Sequence, residues 1–130
     1  MKYFFLLSVL LIISCKPSKK DFTAQYIIDK SIISSGSDKV SNSEITFKFR
    51  DKKYSAKRYK GRFALTRNFD SIRDVLSNSG FQRFVNETEI KVTDLMASRY
   101  TNSLNSVHYF SVLPYGLNDN AVHEKRLQSS

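Results

Sequence analysis

Residues 43–69, SEITFKFRDKKYSAKRYKGRFALTRNF, alternate between apolar and polar side chains with a period of two. Successive side chains of an extended chain point to opposite faces, so this period predicts strands with one apolar side. Turn residues interrupt the alternation at 51–53 and 60–61, which predicts antiparallel hairpins with rings inward and charges outward. The predicted inward side chains are Ile45, Phe47, Phe49, Tyr54, Ala56, Phe63, Leu65 and Phe69.

The alternation continues in shorter runs beyond this stretch. Strands are predicted at 72–76, 81–85 and 89–92, separated by polar residues and Gly80. The sequence therefore predicts an α+β fold built on an antiparallel meander of five or six strands. The prediction also includes an N-terminal helix and a second amphipathic helix covering one face of this sheet.

Two segments with helical spacing flank the predicted strands. In residues 22–33 most apolar side chains fall on one arc, and Gly36 follows as a helix stop. This first helix is predicted to pack on the domain, with an interfacial membrane helix as the alternative. Thr93 and Asp94 predict the start of a second helix that runs to about residue 113. Its predicted apolar face contains Met96, Tyr100, Leu104, Val107 and Phe110, with His108 at the edge.

The first fifteen residues, MKYFFLLSVLLIISC, predict export and lipid attachment. A lysine precedes an apolar run that is too short to span a membrane and that ends at Cys15, the one cysteine of the chain. Residues 12–15 resemble a lipobox, so Cys15 is predicted to carry the lipid and to anchor the chain in the cell envelope, at the outer membrane. The predicted organisation is a signal peptide at 1–14, the lipidated cysteine and a tether at 15–21, and one domain at 22–130.

The chain is basic, with a formal net charge of +9. Ten Lys or Arg residues fall between residues 48 and 74 against three Asp, and aromatic residues are interleaved with them. In a cytosolic protein this mixture would indicate a nucleic-acid surface, because cations bind phosphates and rings stack on bases. The export signal disfavours nucleic acid, and strand alternation explains the cations as a solvated outer face. Contact of that face with anionic lipid is the remaining alternative.

Side chains that could carry catalysis or hold a metal are few. His108 and His123 are the histidines, and Cys15 is assigned to the lipid, so no zinc set of the usual kind is predicted. The sequence has no glycine-rich phosphate loop and no supported Ser-His-Asp order, so we predict no metal, no cofactor and no enzymatic activity. Two roles are open for His108. It could form a hydrogen bond to a ligand at the mouth of an apolar cavity, or it could be half-buried with its hydrogen bonds made to neighbouring residues.

Four strings of the sequence resemble an uncharacterised lipoprotein family of Bacteroidota, over about residues 20–127. The resemblance implies the outer-membrane lipoprotein-carrier type of fold, a curved antiparallel sheet whose concave face is covered by helices and holds acyl chains. Members of that family continue with further strands after the last string, so the resemblance implies an incomplete half-barrel, a partial domain truncated at residue 130. The strings are EITFKFRDKKY (44–54), DVLSNSGFQRFVN (74–86), NSVHYF (105–110) and LPYGLND (113–119).

The leading hypothesis for function is a non-enzymatic, membrane-anchored module that binds an apolar ligand such as a lipid or acyl chain. The alternative is an envelope structural or interaction protein that binds anionic surfaces through its basic face. A hydrolase or lyase that uses His108 is the third hypothesis. The side chains predicted to line a ligand site are Phe47, Phe49, Phe63, Leu65, Tyr100, Leu104, His108 and Phe110.

Overall fold

In the computed structural model, the alternating stretch forms an open antiparallel sheet of six strands that follow one another in chain order. The structure describes residues 22–120, 122 and 123; the predicted signal peptide, Cys15 and the tether lie outside these residues. The first and last strands are the edges of the sheet. The strands are β1 (Ser43–Phe49), β2 (Lys52–Tyr59), β3 (Arg62–Phe69), β4 (Ile72–Ser77), β5 (Gly80–Val85) and β6 (Thr88–Ile90).

Three of the turns between strands contain two residues with positive φ. Such turns match the right-handed twist of antiparallel strands and therefore favour tight hairpins. The turn predicted at 51–53 is wrong in its extent, because Lys52 and Lys53 already pair with β1. The turn residues are Arg50 and Asp51, Lys60 and Gly61, and Asn86 and Glu87.

Two helices complete the fold, α1 (Ala24–Ser35) before the sheet and α2 (Asp94–Ser111) after it. The side-chain oxygens of Thr23 and Thr93 accept hydrogen bonds from the first turns and cap the two amino-terminal ends. Gly36 ends α1 in the left-handed conformation, with a φ of 72°. The predicted α+β fold, with two helices and a curved antiparallel sheet that does not close, is confirmed.

The core lies between the sheet and α2. This helix contacts β3, β4 and β5, and its Leu104 is wholly buried. The strand register aligns the inward side chains in rows, with Ala56 opposite Leu65 and Leu65 opposite Leu76. The central cluster is Tyr54, Ala56, Leu65 and Leu104, with Phe47, Phe63, Leu76 and Val107 packed against it.

The first helix packs mainly against two short 3-10 turns, Ser37–Asn42 and Tyr115–Asn118, and not on the sheet. Of the apolar arc predicted for this helix, Ile32 is buried. The predicted packing face is therefore wrong in extent, because two short turns cover less of a helix than a sheet would. The large apolar side chains of this segment that stay exposed are Phe22, Tyr26, Ile27 and Ile33.

Charged side chains also lie on the helix-facing side of the sheet, so the prediction of charges outward is wrong in part. Arg67, Asp74 and Arg83 are buried there. They lie in one row across three strands, with Arg67 opposite Asp74 and Asp74 opposite Arg83. Each lies an even number of positions from the apolar inward residues of its strand. Because side chains alternate between the two faces, each of these charged side chains points toward the helix.

Candidate functional site

An apolar groove, here the phenylalanine groove, lies between the edge strand β1 and the carboxyl-terminal half of α2. Its volume is about 370 Å³, which falls within the range of small-molecule sites. The lining is mainly aromatic and aliphatic, with two serines and one lysine. It consists of Phe47, Lys48, Phe49, Ser106, Val107, Phe110 and Ser111.

The walls of the groove present aromatic rings to solvent. Phe110 is 68% exposed and Phe49 is 43% exposed, whereas Phe47 and Val107 pack against the core. Isolated exposed apolar residues are ordinary, but rings that share one recess form a patch of the kind that marks binding sites. The groove therefore has a packed floor and two exposed aromatic walls.

The floor of the groove rests on a cluster of aromatic rings. Phe47 stacks on Tyr54 with 5.2 Å between ring centroids. His108 meets each of these rings edge-on, at 5.6 Å. These offset and edge-on arrangements are the favourable ones for aromatic pairs. The contacts with Tyr54 and His108 therefore hold the Phe47 ring in place at the floor of the groove.

His108 is wholly buried, so its predicted position at the edge of the apolar face of α2 is wrong. The helix turns its Leu104 and His108 stripe toward the sheet, four residues apart on one side. Phe110 lies two residues further along, well round the helix from that stripe, and so stays exposed. The predicted packing face of α2 is thus rotated from the observed one.

The buried imidazole is held in one tautomer. His108 Nε2 donates a hydrogen bond to the carbonyl oxygen of Thr66, at 3.2 Å, which leaves Nδ1 as an acceptor. Burial lowers the pKa of His108 below its ordinary value; the bond to Thr66 opposes this change and the charge of Arg58 adds to it. The imidazole is therefore neutral near pH 7, which suits its place among the rings.

Cations surround the end of the groove at β1. Lys48 lines the groove itself, and the guanidinium of Arg50 lies 5.2 Å from the centroid of the Phe49 ring. Lys52, paired with Phe49 across the hairpin, places its Nζ 4.5 Å from the centroid of the Phe69 ring. Aromatic faces attract cations, so positive charge is held directly beside apolar surface.

A buried ion cluster, formed by Arg67, Asp74 and Arg83, fixes α2 on the sheet. Asp74 accepts four hydrogen bonds from the two arginines, at 2.6–3.1 Å, and these bonds raise the pKa of Arg83. Arg67 also donates to Ser103 Oγ of α2 at 2.9 Å. The guanidinium of Arg83 lies 3.5 Å from the Tyr100 ring centroid. Since both arginines contact α2, the cluster helps to set the distance between helix and sheet.

The eight side chains predicted to line a ligand site do not share one site. Phe47, Phe49 and Phe110 line the phenylalanine groove. Phe63 and Leu65 line a second cavity. Tyr100 packs toward the other end of α2, while Leu104 and His108 are core residues that line neither space.

Sequence reasoning did not find the remaining groove residues or the ion cluster. Ser106 and Ser111 are polar helix residues with no pattern that sets them apart. The ion cluster had a usable signal, because Arg67, Asp74 and Arg83 each share the parity of apolar residues on their own strands.

Within the described ranges 22–120 and 122–123, no group of three or more His, Cys, Asp or Glu side chains is arranged to hold a metal ion. None of the helices in that part of the chain has the length and apolar character needed to cross a membrane.

Comparison with known protein families gives a match over most of the chain. A family model described as a family of unknown function, DUF6503, matches residues 1–128. No curated protein and no solved structure matches the chain. The match spans nearly the whole sequence, including the strands, α2 and the residues of the groove, and the chain therefore belongs to the DUF6503 family.

Proposed function

We propose that this protein is a non-enzymatic, lipid-anchored module of the bacterial cell envelope that binds an amphiphile, an acyl chain with an anionic group, in the phenylalanine groove. The observation that carries the proposal is the combination of the exposed rings of Phe49 and Phe110 with the cations Lys48 and Arg50 at one end. Apolar surface would bury the chain, and the cations would bind the anionic group.

The free energy that binding can gain depends on how much of the exposed rings the ligand buries. Burying a Phe side chain that is otherwise in water contributes about 1.5–3 kcal/mol. Phe110 and Phe49 are both substantially exposed in the described structure, so an acyl chain laid between them would gain a large part of this term from each. The two rings together would contribute at most about 3–6 kcal/mol. Since each factor of ten in affinity is about 1.4 kcal/mol, this is roughly two to four factors of ten.

The open antiparallel sheet covered by α2 supports the resemblance to the lipoprotein-carrier type of fold. A protein of that kind would need to work at a membrane, and lipidation of Cys15 would place it there. Two or three acyl chains on one cysteine give stable anchoring, whereas a single chain binds only marginally. Labelling cells with radioactive palmitate should mark the wild-type chain and leave C15S unlabelled. An equal label on both would refute the lipid anchor.

Binding in the groove is tested with a fluorescent fatty acid, cis-parinaric acid, titrated into the purified full chain. F110D places a carboxylate on the exposed wall, where it repels the anionic group and removes apolar surface. We expect its dissociation constant to be at least about tenfold higher than that of the wild type.

The matched control is L95D, because Leu95 lies on the same helix, is 63% exposed and is not part of the groove. Its affinity should stay within about twofold of the wild type. Both variants change exposed residues, so their melting temperatures should remain close to that of the wild type. Equal weakening by F110D and L95D, or none by either, would refute the groove as the site.

A second candidate function is contact of the outer sheet face with anionic membrane surface. Lys48, Lys53 and Arg62 lie on that face, and none forms an ion pair among the described residues. The full chain would then bind vesicles containing phosphatidylglycerol, more weakly as salt rises from about 0.05 to 0.5 M. K53E should reduce this binding without changing the affinity for parinaric acid. Binding that does not respond to salt would exclude this candidate.

A further inference from the structure

A second cavity lies on the inner side of the sheet, where β2 and β3 meet the end of α2 and the following 3-10 turn. Its volume is about 320 Å³. It shares no lining residue with the phenylalanine groove. Its polar lining includes Arg58, Arg62, Asn105, Tyr109, Tyr115 and Asp119.

The feature that distinguishes this cavity is the guanidinium of Arg58. Its Nη1 is buried and has no hydrogen-bond partner in the described structure, and no carboxylate of the described residues forms an ion pair with Arg58. Burial lowers the pKa of Arg58, while the Tyr115 phenol acts in the opposite direction. Arg58 as a whole is half-buried, but a buried N–H without an acceptor is costly, so such donors are uncommon.

The two buried arginines of this sheet face, Arg67 and Arg83, show the contrast. Arg83 binds both carboxylate oxygens of Asp74, and Arg67 donates two hydrogen bonds to Asp74 Oδ2. The two arginines that are buried in the core and do not line the cavity therefore share a carboxylate as their counterion. Arg58 lies on the same face, one row beyond the central cluster, and directly against a cavity instead of a carboxylate.

The remaining lining defines what kind of anion would fit. Phe63, Leu65 and Val112 supply apolar surface, and the Tyr109 and Tyr115 hydroxyls and the Asn105 amide can donate hydrogen bonds. Asp119 also lines the cavity. A single carboxylate on an apolar body matches this arrangement better than a phosphate dianion.

A second unpartnered polar atom lies in this region of the core, on a residue that does not line the cavity. His108 Nδ1 is buried and has no hydrogen-bond partner among the described residues, and it is an acceptor because Nε2 holds the hydrogen. Arg58 lies near enough for its charge to act on this imidazole. A donor and an acceptor are thus both left unsatisfied in this region of the core.

We propose that the Arg58 cavity binds a small organic carboxylate, with the carboxylate on the Arg58 guanidinium and the apolar body against Phe63, Leu65 and Val112. Charge-assisted, bidentate contacts with a carboxylate are the strongest that a guanidinium forms. The site is independent of the phenylalanine groove, so F110D, which blocks the groove, should leave it unchanged.

The test uses calorimetric titration of the full chain with benzoate, with benzamide as the uncharged analogue and inorganic phosphate as the competing anion. Benzoate should bind, and benzamide and phosphate should each bind at least about tenfold more weakly. R58M should weaken benzoate binding by at least the same factor. Phosphate binding as tight as that of benzoate, or benzamide binding equal to benzoate, would overturn the assignment.

The stability of R58M distinguishes a binding arginine from a structural one. Arg58 is half-buried and forms no ion pair among the described residues, so replacing it by an apolar side chain of similar length should leave the melting temperature of the unliganded protein unchanged or raise it. R73M, on the outer side of the sheet, is the control and should bind benzoate like the wild type. If R58M melts far below the wild type, or retains wild-type affinity for benzoate, Arg58 is a structural residue and the proposal fails.

Discussion

Replacing Asp74 by asparagine tests the role of the buried ion cluster most directly. Asn keeps the size of the side chain but removes the charge and replaces one acceptor oxygen by a donor. Asp74 is wholly buried and receives four hydrogen bonds, two from Arg67 and two from Arg83. In D74N the amide nitrogen would face guanidinium donors, and two arginine side chains would remain buried without a counterion.

The loss of unfolding free energy in D74N can be estimated from the burial of the three charged side chains. Arg67, Asp74 and Arg83 have side-chain exposures of 6%, 0% and 9%, so water cannot replace the lost bonds. Removing one partner of a buried pair costs about 3–5 kcal/mol, a large part of the roughly 5–15 kcal/mol that stabilises a domain. For about 100 residues, even the lower value should reduce the melting temperature by roughly 12–24 °C.

The assay is urea unfolding of the full chain, followed by far-ultraviolet circular dichroism. E87Q is the control, because Glu87 pairs with Arg73 at 2.8 Å on the surface, with its side chain 79% exposed. Such a pair contributes about 0–1 kcal/mol. If D74N lost no more stability than E87Q, the cluster would not hold α2 on the sheet, and our account of the groove geometry would be wrong.

Three further predictions concern the core and the end of α2. Lowering the pH from about 7 to 5.5 should destabilise the fold by at most about 1.4 kcal/mol per pH unit, because the folded-state pKa of His108 is lowered and protons therefore bind preferentially to the unfolded chain. The free energy of urea unfolding of H108Q should change less with pH than that of the wild type, and an equal pH dependence would contradict this prediction. G116A should cost about 1–3 kcal/mol in thermal unfolding, because a Cβ there would overlap the Tyr109 ring, 2.8 Å from Cδ2; an unchanged melting temperature would contradict this contact. L104A removes a wholly buried side chain and should cost about 2–5 kcal/mol in urea unfolding, so a loss below about 1 kcal/mol would place Leu104 outside the core.

The strands could be predicted from the sequence because their period of two extends over consecutive hairpins. All six strands lie where the alternation placed them, and their ends differ by one or two residues. β2 begins at Lys52, inside the predicted turn, β5 begins one residue earlier than predicted, and β6 is Thr88–Ile90 instead of 89–92. Hairpin register depends on the turn and the neighbouring residues, so it is encoded locally.

The buried charges could not be predicted while charged residues were assumed to face water. Arg67 has the same parity as Leu65, and Arg83 the same parity as Phe81, so the strand pattern itself pointed inward. What the sequence does not contain is the distance between the two arginines and Asp74. That distance depends on the register of three strands, and only it makes burial of the charges tolerable.

The groove was predicted in part, for a related reason. Phe47 and Phe49 follow from strand parity, but the orientation of α2 depends on His108, whose burial requires the Thr66 carbonyl and two aromatic rings. Histidine was counted as a polar residue when the apolar face of α2 was predicted. The predicted face was therefore centred too close to Phe110 and had His108 only at its edge. Helix phase is set by such tertiary contacts more than by the helix's own pattern.

Each strand of the sheet pairs only with strands next to it in the chain, which has a consequence for how the protein folds. Closing a short turn loses little chain entropy, and domains rich in such local contacts fold quickly. We therefore expect hairpins to add one after another, with the docking of α2 as the slower, long-range event, since Arg67 reaches Ser103 across 36 positions. Mutations at that contact should slow folding only if docking precedes the transition state, and they should otherwise speed unfolding.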